Sequence, residues 1–230
     1  MPRLLGVLGG MGPLASVDFL AKLIEETPAQ SDQDHVPVVL YSVPQIPGRV
    51  AAILDGGESP LPAMVAGLTV LARAGVEAIV IACNTAHHWY DELVRASAVP
   101  ILHIADAACA GIAPGACVGL LGTEAALRAG IYQERLARLD VSTLVNAPEL
   151  RRRAVLPAIA LVKQGRSAEA GRLLEPAIED LLRQGAQTVI LACTELPVAL
   201  GAISSSYLDR VIDPTRTLAR AAVAWSFTNR

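Results

Sequence analysis

The sequence predicts an α/β protein built from two similar doubly wound parallel-sheet lobes. Short apolar runs rich in Val, Ile and Leu alternate with longer stretches of helical period, as expected of buried strands joined by crossover helices. The segment Gly75-Val-Glu-Ala-Ile-Val-Ile-Ala-Cys83-Asn-Thr returns 110 residues later as Gly185-Ala-Gln-Thr-Val-Ile-Leu-Ala-Cys193-Thr-Glu. In the same order, Leu5-Gly-Val-Leu-Gly-Gly10 returns as Val118-Gly-Leu-Leu-Gly-Thr123 at an offset of 113. One such match arises easily among apolar strands, but two in order point to a duplicated unit. Lobes of this kind are expected to be related by a pseudo-two-fold axis, with a site in the cleft onto which the carboxyl ends of their strands open.

Residues 4–8 read as a buried strand. Pro13 then suits the first turn of a helix, on which Val17, Leu20, Leu23 and Ile24 would share one face. Residues 36–42 form the next strand, 61–74 a helix closed by Gly75, and 76–82 a central strand leading into Cys83. In the second half, 117–121 and 188–192 read as strands, with helices near 148–164 and 168–184 between them. Asp213-Pro214 has the form of an N-cap and first-turn proline opening the last helix. The expected lobes are 1–100 with 210–230, carrying Cys83, and 101–209, carrying Cys193.

With 230 residues, 53% hydrophobic and 18% charged, the chain is long and apolar enough for a real core, and disorder is excluded. A net charge of -3 and only 3% aromatic residues offer neither an electrostatic footprint nor a stacking platform for nucleic acid. No membrane span is expected. Gly9-Gly10 and Gly12-Pro13 interrupt the first apolar stretch, and His103, Asp106 and Pro114 interrupt the one at 101–122. Cys83, Cys109, Cys117 and Cys193 lack C-x-x-C spacing and read as reduced thiols of a cytoplasmic protein.

A cysteine between a buried strand and a helix lies near backbone N–H groups, which lower its pKa from about 8.5 toward neutrality and make it a usable proton base. Cys109 and Cys117 are read as small buried hydrophobes. Cys83 and Cys193 differ because polar pairs follow them, Asn84-Thr85 and Thr194-Glu195. Two thiols on facing halves suit inversion at a carbon bearing an acidic hydrogen, where one removes a proton and the other delivers one. The developing carbanion needs preorganised donors, and the turn Gly9-Gly10-Met11-Gly12 supplies candidates.

Other chemistries fit less well. Gly10-Met-Gly12-Pro-Leu-Ala15 has the G-x-G-x-x-A spacing of a dinucleotide turn, but the following strand ends without the acidic residue a ribose requires. Pyridoxal phosphate needs a Schiff-base lysine, and the chain has only Lys22 and Lys163. Cys83, His87 and His88 lie close together but lack a compact third or fourth partner for a metal, since His35 and His103 are remote in sequence. Arg151-Arg152-Arg153 reads as a solvated patch.

Several motifs together carry a family likeness: Gly9-Gly-Met-Gly-Pro13, Asp32-Gln-Asp-His35, Pro44-Gln-Ile-Pro-Gly-Arg49, Ala82-Cys-Asn-Thr-Ala-His87, Val162-Lys-Gln-Gly165 and Ala192-Cys-Thr-Glu-Leu-Pro197. With these the chain resembles the aspartate/glutamate racemase family over almost its whole length. Glu195 after Thr194, where glutamate racemases carry His, favours the aspartate branch. The resemblance implies a small amino-acid substrate, a homodimer, no cofactor and no metal. It implies Cys83 and Cys193 as the acid/base pair, with Asn84, Thr85, Thr123 and Thr194 bonding the α-amino and α-carboxylate groups. Arg49 and Lys163 would grip carboxylates, and Met11 and Glu195 would complete the substrate contacts.

Three positions depart from the pattern. Ala126 and Ala129 stand where the family often has Thr and Ser, and Ala158-Ile159 where Tyr is frequent before the lysine. These changes enlarge or depolarise the side-chain end of the pocket. They keep open a related dicarboxylate decarboxylase or isomerase using one or both thiols, while a non-catalytic bilobed binding protein stays open because bilobed α/β folds also serve as sensors.

Overall fold

A computed structural model describes residues 2–228. They form two compact units, one made of the chain up to Ala107 together with the chain from Thr215 onward, the other Ala108–Pro214. The first unit runs β1 (Leu5–Gly9), α1 (Pro13–Glu26), β2 (Val38–Ser42), α2 (Arg49–Leu54), α3 (Leu61–Arg73), β3 (Ala78–Ile81), α4 (Tyr90–Ala96), β4 (Ile101–Leu102) and α5 (Ile104–Cys109), whose end crosses into the second unit. The second runs β5 (Cys117–Gly122), α6 (Glu124–Arg128), α7 (Gln133–Arg138), β6 (Ser142–Val145), α8 (Pro148–Leu150), α9 (Leu156–Lys163), α10 (Ser167–Arg183), β7 (Thr188–Ala192), α11 (Glu195–Gly201) and β8 (Val211–Ile212). The last helix, α12 (Pro214–Phe227), belongs to the first unit almost entirely.

Each unit holds one four-stranded parallel sheet, and the strand order repeats: β2-β1-β3-β4 in the first and β6-β5-β7-β8 in the second. The inner strands β1 and β3 are buried at every position, and β5 and β7 at all but their first. They therefore read as continuous apolar runs, because helices cover both faces of such a sheet. The outer strands β2 and β6 are half-buried or exposed throughout.

The unit boundaries lie later than the sequence boundaries of 100 and 210. Ile101–Leu102 pairs with β3 as the outer strand of the first sheet, and Val211–Ile212 pairs with β7 as the outer strand of the second. Two-residue strands are too short to announce a sheet partner by their own pattern. The face of α1 also differs from expectation. Ala15, Ser16, Phe19, Lys22 and Leu23 are buried, while Val17 and Ile24 are each 59% exposed. The helix carries two apolar stripes, and Phe19 with Leu23 packs among Leu5, Val7, Leu218 and Ala222, so the stripe with the larger ring faces the sheet and α12. Arg151 departs from the solvated-patch reading. Its guanidinium bonds Glu124 at 3.1 Å and the Asn146 carbonyl at 2.5 Å, at the start of a π-helical stretch, Arg151–Val155, that joins α8 to α9.

An ion-pair cluster ties α12 to α1. Glu26 accepts hydrogen bonds from Arg216 at 2.8 Å and from Arg220 at 2.7 Å. The Arg220 and Arg216 guanidinium groups hold its carboxyl below the usual value of 4.5. The stabilisation from this lowered pKa is complete above about pH 4.5 and is lost as pH falls through the lowered value. Because the arginines are partly solvated, Glu26→Gln is expected to cost about 1 kcal/mol or less at pH 7. The difference from the parent should shrink toward zero as urea melts are repeated at progressively lower pH. A gap that persists well below the carboxylate range would assign the cost to packing instead.

Candidate functional site

In an open parallel sheet, the carboxyl ends of the strands meet the amino ends of the following helices, where backbone N–H groups are free to bind anions. The sequence motifs lie at these ends. β3 and β7 hold equivalent places in their sheets, and each releases its chain through the same tight turn. The Cys83 N–H donates to the Ile81 carbonyl at 2.8 Å, and the Cys193 N–H to the Leu191 carbonyl at 2.7 Å. Both cysteines are buried.

In the first unit, Cys83 is followed by buried Asn84 and Thr85, which opens the 3-10 turn Thr85–Trp89. His87 secures this turn. Its Nε2 accepts the Ile104 N–H at 3.3 Å, which leaves Nδ1 as the protonated nitrogen donating to the Cys83 carbonyl at 2.9 Å. Next door, the turn after β1 is held by Ser16, whose hydroxyl accepts the Gly10 N–H at 2.8 Å and donates to the Gly12 carbonyl at 3.0 Å. Arg49 spans the turns after β1 and β2. Its Nη1 donates to the Ile46 and Pro47 carbonyls, each at 3.0 Å, and its Nη2 to the Met11 carbonyl at 3.2 Å. Three carbonyl bonds hold the guanidinium in place without neutralising it, and Nε is left with no acceptor. A fixed, unneutralised cation of this kind suits a planar carboxylate. The Met11 side chain itself is buried in the core with Leu8, Met64 and Cys83.

In the second unit, Thr123 follows β5 and caps α6, its hydroxyl accepting the Ala126 N–H at 3.1 Å. After β7 come Cys193, Thr194 and Glu195, all buried. Glu195 is 4% exposed; its carboxylate accepts the Cys193 thiol at 3.0 Å and the Thr194 hydroxyl at 3.3 Å. The turn is held firmly from behind. At Gly171, α10 comes so close to α11 that a Cβ would stand 2.4 Å from the Ala199 carbonyl oxygen. Tyr132 is also buried here. Burial pushes its phenol well above the usual value of 10, and the neighbouring Cys109, Asp213 and Cys193 act in the same direction, so the ring stays neutral.

Lys163 is exposed in the last turn of α9, just before the chain turns into α10. Since α10 runs back along β7, its start lies at the Cys193 end of the sheet. Of the departures from the family pattern, Ala126, Ala158 and Ile159 are buried and Ala129 is half-buried. Ala126 is buried in α6, and Ala158 and Ile159 belong to the core that includes Cys193. Ala129 is the residue that ends α6. Lys22, the other lysine, is buried on α1 and paired with Asp18 at 2.5 Å. Both ring nitrogens of His87 are committed, and among the described residues no group of three His, Cys, Asp or Glu side chains is placed to hold a metal ion. Among the same residues, no helix is long and apolar enough to cross a membrane.

Two positioning roles were missed in the sequence. Ser16 looks like an ordinary helix residue, and nothing nearby announces its bond to Gly10. His87 reads as a metal-ligand candidate because it stands four residues after Cys83; the same spacing brings its ring under the Cys83 carbonyl.

The family model described as Asp/Glu/Hydantoin racemase matches residues 8–222. The chain is 30% identical over 226 residues to the broad specificity amino-acid racemase RacX of Bacillus subtilis, covering 96% of this chain and 97% of that protein. It is 29% identical over 138 residues to a glutamate racemase from a Sulfurihydrogenibium species, with 57% of this chain and 51% of that enzyme covered. Among solved structures, the aspartate racemase of Picrophilus torridus superposes with a TM-score of 0.84 at 34% identity, covering 97% of this chain and 94% of that one.

Proposed function

The chain belongs to the Asp/Glu/hydantoin racemase family, and from that premise we propose that it inverts the α-carbon of an acidic amino acid, aspartate foremost, by a two-thiol mechanism without pyridoxal phosphate. Cys83 and Cys193 are the proposed acid/base pair. In one direction a thiolate takes the α-hydrogen from one face while the other thiol delivers a proton to the opposite face, and the roles exchange for the other enantiomer. The observation that carries this reading is the repeated construction: equivalent strands of two like-ordered sheets each end in a buried cysteine, in the same turn, followed by buried polar residues.

Arg49 supports an acidic substrate, being a fixed cation whose hydrogen bonds all go to carbonyl oxygens. We assign it, with Lys163, to the substrate carboxylates, and Asn84, Thr85, Thr123 and Thr194 to the α-amino and α-carboxylate groups. Donors in the turn containing Met11 would offset charge developing at the α-carbon. Aspartate is favoured by the Cys193-Thr-Glu order and by the likeness to the Picrophilus torridus enzyme. Working as a homodimer in the cytoplasm completes the proposal; four cysteines without C-x-x-C spacing accord with a reducing compartment.

Incubation with the L- and D-forms of aspartate, glutamate and several neutral amino acids in D2O tests the reading. The expected result is formation of the opposite enantiomer carrying α-deuterium, fastest with aspartate. Loss of carbon dioxide or a shifted functional group in place of inversion would favour the decarboxylase or isomerase alternative. Binding with no α-exchange on any substrate would reduce the protein to a ligand carrier.

A further inference from the structure

The two thiols, equivalent by repetition, differ in their neighbours. Thr85 stands two residues after Cys83, and the matching position after Cys193 is Glu195, so only the second half places a carboxylate there. That carboxylate is buried. Its two hydrogen bonds come from the Cys193 thiol and the Thr194 hydroxyl, and neither partner is a cation. A group so placed is committed to the sulfur and is poorly available to a substrate amine. It also opposes a second negative charge beside it, so a bare Cys193 thiolate next to an ionised Glu195 is disfavoured. A proton moving from Sγ to the carboxylate over 3.0 Å avoids that charge pair.

Resting on the two-thiol reading, we infer that Glu195 is the proton store of Cys193 and not a substrate contact, so that the working couple is Cys83 on one side and Glu195, acting through Cys193, on the other. When Cys193 takes the α-hydrogen, the bond from Cα to hydrogen breaks and a new S–H bond forms. The former thiol proton passes to Glu195, and the Cys83 thiol protonates the carbanion from the other face. The enzyme then holds Cys83 as thiolate, Cys193 as thiol and Glu195 as carboxylic acid. Two protons sit on the three groups before and after. In reverse, Cys83 takes the α-hydrogen, Cys193 donates its proton to carbon, and Glu195 returns a proton to the sulfur.

Glu195→Gln keeps the shape and removes the proton acceptor. Racemisation is expected to fall about 10²-fold. The fall is equal in both directions, because the equilibrium constant between enantiomers is one. The deuterium content of recovered substrate should be unequal. The enantiomer deprotonated by Cys83 still gains α-deuterium in D2O, and the one deprotonated by Cys193 does not. Glu195→Asp retains a carboxylate and should restore part of the exchange to that second enantiomer. Equal exchange losses for both enantiomers, or no loss, would overturn the proton store. Cys193→Ala, measured alongside, separates this outcome from failure of the two-thiol reading: full racemisation in that variant removes the reading itself, whereas its loss together with symmetric exchange in Glu195→Gln removes only the role of Glu195.

Discussion

Replacing Cys83 or Cys193 by Ala is expected to lower racemisation by at least about 10³-fold while leaving the fold intact, since each variant deletes a group through which a proton must pass and proton-transfer groups contribute about 10²–10⁴. Loss of one sulfur from a buried site should cost stability on the order of 1 kcal/mol, within the range of a small core truncation. Cys83 packs with Leu8, Ile81 and Ala86, and Cys193 with Leu121, Leu191 and Leu196, so neighbouring side chains remain to support the turn. Each variant should also keep α-deuterium exchange on the single enantiomer served by its remaining thiol. Chiral chromatography, mass measurement of recovered substrate and urea melts separate these effects. Racemisation near the parent rate in either variant, with the fold unchanged, would end the two-thiol proposal; loss of activity together with loss of cooperative unfolding would mean the cysteines are structural.

How much of this architecture was legible depended on where each segment lies. The inner strands were readable because burial on both faces leaves an uninterrupted apolar run, and 188–192 coincides with β7 (Thr188–Ala192). The outer strands were not equally clear. Val36 and Pro37 precede β2 but continue its apolar appearance, and β4 and β8 hold only two residues each. The face of α1 was ambiguous in principle, since Ala15, Phe19 and Leu23 form one apolar stripe and Val17, Leu20 and Ile24 another. Periodicity shows that a helix is amphipathic or doubly apolar; only the partner surface decides which stripe it keeps.

The candidate site divides along similar lines. Local order in the sequence identified Cys83-Asn84-Thr85 and Cys193-Thr194-Glu195, because strand, turn and polar pair are adjacent in the chain. The support that holds them is non-local. Arg49 meets the Met11 carbonyl across 38 residues, and the Ile104 N–H reaches His87 across 17. No spacing rule reports such contacts. Glu195 was visible as a residue but not as a partner: a carboxylate two positions after a thiol turns back onto it only because α11 begins at that point.

Gly10→Ala is expected to destabilise the protein by about 3 kcal/mol or more, the range reached when a substitution forces backbone apart at a strained position. Gly10 has φ of +89°, and a Cβ there would stand 2.4 Å from the Val43 nitrogen and 2.7 Å from the Pro44 nitrogen. Both obstacles are backbone, so no side-chain rotation relieves them. The strain would reach the site, because Val43 and Pro44 lead into the loop whose Ile46 and Pro47 carbonyls hold Arg49, and the adjoining Met11 carbonyl holds it from the other side. Gly75→Ala is the control. It has a similar φ of +80° but nothing within 4 Å of its added Cβ, so it should cost only about 1 kcal/mol from the unfavourable backbone region. The gap between the two variants in urea unfolding measures the collision separately from the dihedral. Gly10→Ala should also weaken substrate binding in whatever fraction remains folded, whereas Gly75→Ala should not. Equal stabilities for the two variants would show that the turn after β1 can move away from Val43, and the rigid seat inferred for Arg49 would fall with that result.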